Sequence, residues 1–166
     1  MHTTIQQFIS VFQTLLKELE LLEKSSKKYY HQIRKAAFNP ELAKALHHEQ
    51  TGIDDHLRRL KLIAIELPKD VKKIEALKEI YSTKSYGRKK DNVRDLLMIA
   101  QAQQILQTKL ADYKLLQRLA NVLNLEHTPE LLNQTIADND ATNTWLDKIA
   151  QRIISGETLI IELPQE

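Results

Sequence analysis

Apolar residues recur at alternating steps of three and four along the start of the chain: Ile5, Phe8, Phe12, Leu15, Leu19, Leu22, then Ser26, Tyr29, Ile33 and Ala36. That spacing gives a helix one stripe for packing on other helices, and it excludes a strand, whose period is two. Only three glycines and four prolines occur in 166 residues, so little interrupts such a pattern. The first helix is predicted from about residue 3 to residue 37. Tyr29 and Tyr30 are adjacent, and only one of them is expected on the seam.

Three more segments carry the same signature. Asn39-Pro40-Glu41 supplies a cap, a first-turn proline and an acid. A second helix follows, with the seam Leu42, Leu46, Glu49, Ile53, His56, Leu60, Ile63 and Leu67, stopped by Pro68. The third is predicted over about 92–124, on Ile99, Ala102, Leu106, Leu110, Tyr113, Leu116, Ala120 and Leu123. Thr128-Pro129-Glu130 opens the fourth, whose seam is Leu132, Thr135, Asn139, Thr142, Leu146, Ile149 and Ile153, with Gly156 ending it. Short turns join helices one to two and three to four. The connection over 68–91 is long, and Val71, Ile74, Leu77 and Tyr81 predict a short extra helix inside it. Two hairpins joined by one long crossover define an all-α, ferritin-like four-helix bundle. The bundle is assigned to 1–156, and 157–166 to an extended, β-branched tail.

Bulk properties narrow the function. A net charge of +2 demands no polyanionic partner, and the absence of cysteine excludes disulfides and thiolate metal sites. No apolar run is long enough for a membrane span, and the start lacks a signal-peptide pattern, so a cytoplasmic, non-membrane protein is expected. No serine lies in a strand–turn–helix context, and no glycine-rich phosphate loop occurs.

The seams are interrupted by polar groups at mid-height: Glu49 and His56 on the second helix, Asn139 and Thr142 on the fourth, and Glu23 beside the seam of the first. Buried carboxylates need partners, so these residues are expected to form one polar layer in which Glu23, Glu49 and His56 serve one another and Asn139 and Thr142 complete the hydrogen bonds. Ferritin-like carboxylate proteins place two metals at this level, using Glu from two helices and Glu-x-x-His from the other two. No Glu-x-x-His lies on the four helices, and Lys109 falls at the same height, where it would repel cations unless it pointed outward.

Several stretches resemble the YciE/YciF-type ferritin-like bacterial stress proteins: Glu23-Lys24, Asn39-Pro40-Glu41-Leu42, His56-Leu57-Arg58-Arg59-Leu60, Val93-Arg94-Asp95 with Leu97-Met98-Ile99-Ala100-Gln101-Ala102-Gln103, Ala111-Asp112-Tyr113 and Ala141-Thr142. The resemblance spans about 15–150 and implies the same fold. Where the family's second helix carries Glu-Glu-Thr, this chain has Thr51-Gly52-Ile53. Where its third reads Glu-His-Tyr-Glu, this chain has Leu106-Gln107-Thr108-Lys109. Its fourth reads Glu-Glu-Lys-Ala-Thr, against Asp138-Asn139-Asp140-Ala141-Thr142 here. The resemblance thus implies a stress-associated bundle whose metal site is degenerate.

The expectation is a non-catalytic protein with no catalytic residues and no cofactor, acting through its surface as a homodimer; any other protein partner is unknown. Apolar residues outside the seams (Leu16, Leu21, Ile65, Leu115, Leu119) motivate the dimer. One alternative is a di-iron or di-manganese protein, an oxidase, peroxidase or metal store, using Glu23, Glu49, His56, Asp112 and Asp138 or Asp140. The other is a nucleic-acid or partner-binding module whose Arg88, Lys89 and Lys90 touch phosphates, although a basic loop without aromatics is usually only solvated.

Overall fold

The computed structural model describes residues 3–68 and 89–156. The short helix expected between Val71 and Tyr81, Arg88 of the basic loop, and the tail lie outside the described residues. Six helices form: α1 (Ile5–Ala36), α2 (Pro40–Ala45), α3 (His48–Thr51), α4 (Ile53–Ile65), α5 (Asn92–Val122) and α6 (Thr128–Ser155), and no strand occurs among the described residues.

The first, third and fourth rods are continuous, as their spacing predicts. Every seam residue of α6 from Leu132 to Ile153 is buried. The second rod is corrected: it is not one helix but α2, α3 and α4. The α2 helix stops at Leu46, and Gly52 adopts φ +72°, closing α3 and opening α4. A left-handed residue ends one helix and re-aims the next. The kink rotates Glu49 out of the seam, and its side chain is exposed.

Contacts between helices fix the directions. Arg94 of α5 donates to the Ala36 carbonyl at the end of α1, while Tyr113 further along α5 reaches back to Glu23, so α1 and α5 are antiparallel. Both α1 and α6 pack on α4 and on α5. The second and third rods therefore lie across a diagonal and run the same way, which is why a long crossover must join them.

Two apolar clusters fill the interior. One joins Tyr29, Tyr30, Ile33 and Leu42 with Met98, Ile99, Leu146 and Ile149. The other joins Phe12, Leu19, Leu60 and Ile63 with Tyr113, Leu116 and Leu132. Each fully buried large apolar side chain contributes roughly 1.5–3 kcal/mol of transfer free energy. Both Tyr29 and Tyr30 are buried, against the expectation that only one would be. The tyrosines flank the α1 face shared by neighbouring rods, so adjacent positions both find cover. Leu16 and Leu119 are likewise core, not surface, residues, because they meet in the second cluster.

The junctions are held by buried or bridging acids. Asn39 does not cap α2 with its side chain. Instead the fully buried Asp95 carboxylate accepts from the Phe38 and Asn39 amides (2.9 and 2.8 Å) and from Asn39 Nδ2 (2.7 Å). At the other end, Glu66, just past α4, accepts from the amides of Glu126 and His127 (2.9 and 3.0 Å) and from Thr128 Oγ1 (3.0 Å), tying down the turn that leads into α6. Glu66→Ala is expected to lower stability by about 1 kcal/mol, the net worth of exposed hydrogen bonds to a carboxylate, read by urea denaturation.

Candidate functional site

Between the two apolar clusters lies an ionic layer. Glu23, on α1, is fully buried. One of its carboxylate oxygens accepts from Tyr113 Oη at 3.0 Å, and the other lies 3.3 Å from His56 Nδ1. Lys109, on α5, is 1% exposed, and its Nζ stands 3.4 Å from both carboxylate oxygens. The same ammonium lies 3.5 Å from Tyr30 Oη and 5.3 Å from the centre of the Tyr30 ring. Across the layer, His56 Nε2 is 3.2 Å from Asp138 Oδ2. That oxygen also accepts from Arg59 at 2.8 Å, and Arg59 reaches Thr135 Oγ1 as well. A neutral imidazole can donate only one of the two His56 contacts.

The electrostatics follow from burial and pairing. Burial by itself pushes the Glu23 carboxyl up, but the Lys109 charge and the His56 and Tyr113 hydrogen bonds outweigh it and hold the group below the usual carboxylate range. Burial pulls the Lys109 ammonium down, yet Glu23 and Tyr30 more than compensate, and its pKa is raised. Burial, then the Glu23 charge, lifts the Tyr113 phenol well above its ordinary value.

Of the expected polar layer, Glu23 and His56 come together. Glu49 does not, for the reason given by Gly52. Asn139 and Thr142 are buried, but each donates within its own helix, to the Thr135 and Asp138 carbonyls, rather than completing the carboxylate's hydrogen bonds. A short polar side chain on a helix reaches its own backbone four residues back more readily than a neighbouring rod. Of the alternative ligands, Asp112 is buried on α5 and Asp140 is exposed. Lys89 is exposed and pairs with Asp91 at 3.4 Å, and Lys90 is exposed. Spacing did hold a sign of Lys109: it falls three residues after Leu106 and four before Tyr113, both seam positions. Asp138, named among the alternative ligands, does join the layer, through His56 and Arg59; Tyr30 and Arg59 gave no comparable sign, because their roles depend on how neighbouring rods are turned.

A pair of divalent cations does not fit this donor set. Lys109 already neutralises the buried Glu23 and Arg59 the partly exposed Asp138, so an added 2+ ion beside Glu23 would leave uncompensated positive charge in a buried setting. No group of three His, Asp or Glu side chains suited to a metal occurs among the described residues. A Cβ built on Gly52 would meet Asp138 Oδ2 at 3.1 Å. Gly52→Ala, strained at positive φ and crowded against Asp138, is expected to cost about 1–2 kcal/mol in thermal denaturation.

Residues 7–159 match the family described as a domain of unknown function, DUF892. The chain belongs to the DUF892 family. The crystal structure of the E. coli stress protein YciF has the same ferritin-like fold as this DUF892 chain: TM-score 0.72 and 22% identity, over 93% of this chain and 99% of that one. No curated protein sequence matches. No described helix is long and apolar enough to cross a membrane.

Proposed function

We propose that this DUF892 chain is a non-catalytic, stress-associated bundle whose centre carries its own cation, the Lys109 ammonium, where ferritin-like carboxylate proteins hold metal. One observation carries the reading: Lys109 Nζ lies 3.4 Å from both oxygens of the buried Glu23 carboxylate. The fold shared with the stress protein YciF supports the association with stress. With its interior closed by ion pairs, such a protein does its work on its surface.

Elemental analysis tests this directly. Protein purified after expression with iron and manganese in excess should carry far less than one ion per chain, and neither ion should raise its thermal midpoint. A content of about two ions per chain, the complement of a di-metal carboxylate site, would overturn the proposal.

A further inference from the structure

Trp145, on α6, is the only tryptophan of the chain, and it is half-buried. Its indole packs on the first apolar cluster. It also lines an open cavity of about 480 Å³ between α2 and α6, together with Glu41, Ala141, Thr144, Lys148 and Arg152. That volume lies in the range of small-molecule sites. One acid organises the lining. The Glu41 carboxylate, in the first turn of α2, accepts the indole N–H at 3.0 Å, and the same oxygen, Oε1, pairs with the Arg152 guanidinium. The ring and the guanidinium are thereby fixed side by side. The other Glu41 oxygen takes no hydrogen bond among the described residues. Glu41 offsets one of the two cations. Lys148 is exposed and has no ion pair among the described residues, so the cavity keeps a net positive charge. The neighbouring acid, Asp147, is turned away, to Gln103 of α5.

We propose that this cavity binds a nucleoside 5′-monophosphate, with its base stacked on Trp145 and its phosphate held by Lys148 and Arg152. The indole face selects an aromatic ring. Two cations one turn apart on α6 suit a dianion. Arg152 spends one nitrogen on Glu41 and keeps its remaining donors for phosphate oxygens. Lys148 and Arg152 stand three and seven residues beyond Trp145, about 4.5 and 10.5 Å along the helix at 1.5 Å per residue. That interval spans the separation of base and 5′-phosphate in a mononucleotide. The spare Glu41 oxygen can accept from a ribose hydroxyl, as acids do in dinucleotide sites. The cavity shares no residue with the ionic layer, so the proposal stands or falls independently of the metal analysis.

With a single tryptophan in the chain, intrinsic fluorescence reports on this cavity alone. Titrating the full chain with adenosine 5′-monophosphate at low salt should quench it saturably, with a Kd of about 0.1–1 mM. Adenosine and inorganic phosphate, offered separately, should each bind weaker by about 10-fold or more. Lys148→Glu, at an exposed position, should weaken the nucleotide by about 10-fold with the thermal midpoint of the free protein unchanged. Trp145→Leu, followed by equilibrium dialysis, should weaken it by about 10-fold as well, because stacking goes with the indole. Absence of saturable quenching up to about 10 mM nucleotide overturns the proposal. So does adenosine or phosphate binding as tightly as the nucleotide, or full affinity in either variant.

Discussion

Replacing Lys109 with methionine is expected to destabilise the bundle by about 3–5 kcal/mol, the cost of removing one partner from a buried ion pair. Methionine fills most of the volume, so the loss is electrostatic rather than a cavity. Glu23 is left with His56 and Tyr113 but without the ammonium that stands against both its oxygens. The penalty should depend on pH. In the native protein the Glu23 carboxyl is held low, so the stability it contributes is complete above its unfolded pKa of about 4.3 and is lost as pH falls through the lower folded value. In the variant, burial acts with less opposition and raises the carboxyl. The gap between the two proteins should therefore be smallest in acid, where the variant's Glu23 is neutral, and should widen towards neutral pH. Lys109 gives the opposite limb: its raised pKa means that its contribution is complete below about 10.4 and fades as pH rises through the folded value. Adding Glu23→Gln to Lys109→Met should recover at least about 1 kcal/mol, because the stranded charge goes with it. Urea denaturation of the native protein, Lys109→Met, Glu23→Gln and the double variant at several pH values measures all of this. Equal losses at every pH, or strict additivity, would show that the pair is not coupled.

Asp95→Ala should cost about 3 kcal/mol, more than any surface substitution. The carboxylate is completely buried and receives three hydrogen bonds from the α1–α2 turn. Asn39 is itself 5% exposed, so its amide and side chain cannot turn to water when the acceptor goes. Each stranded buried donor carries a penalty of roughly 1–3 kcal/mol, and the better-exposed Phe38 amide less. Asp95→Asn, which keeps one acceptor, should lose about half as much. If Asp95→Ala unfolds within about 0.5 kcal/mol of the native protein, the turn is held by the apolar contacts around it instead.

The ease of reading this chain varied from rod to rod. The α6 seam is unbroken from Leu132 to Ile153, and each member is buried where its spacing put it. The second rod misled because Glu49 and His56 kept seam spacing across a backbone break. Gly52 was the visible warning, and its left-handed φ is what separates the two side chains. Lys109 was legible only as a conflict, a charge at an inward spacing, which the nearby Glu23 resolves. The remaining partners were not legible. Periodicity fixes which side of a helix is apolar to within tens of degrees, whereas Arg59 meeting Asp138 depends on the mutual rotation of α4 and α6.

The ionic layer also divides the interior. Above it and below it lie oily compartments with no members in common, one gathered around Leu42 and Met98, the other around Leu60 and Leu116. Cooperativity between them must pass through a handful of charged contacts and the backbones of the continuous rods. Amides at the two ends can thus open on separate schedules, and weakening the belt at Lys109 would turn one folding unit into two.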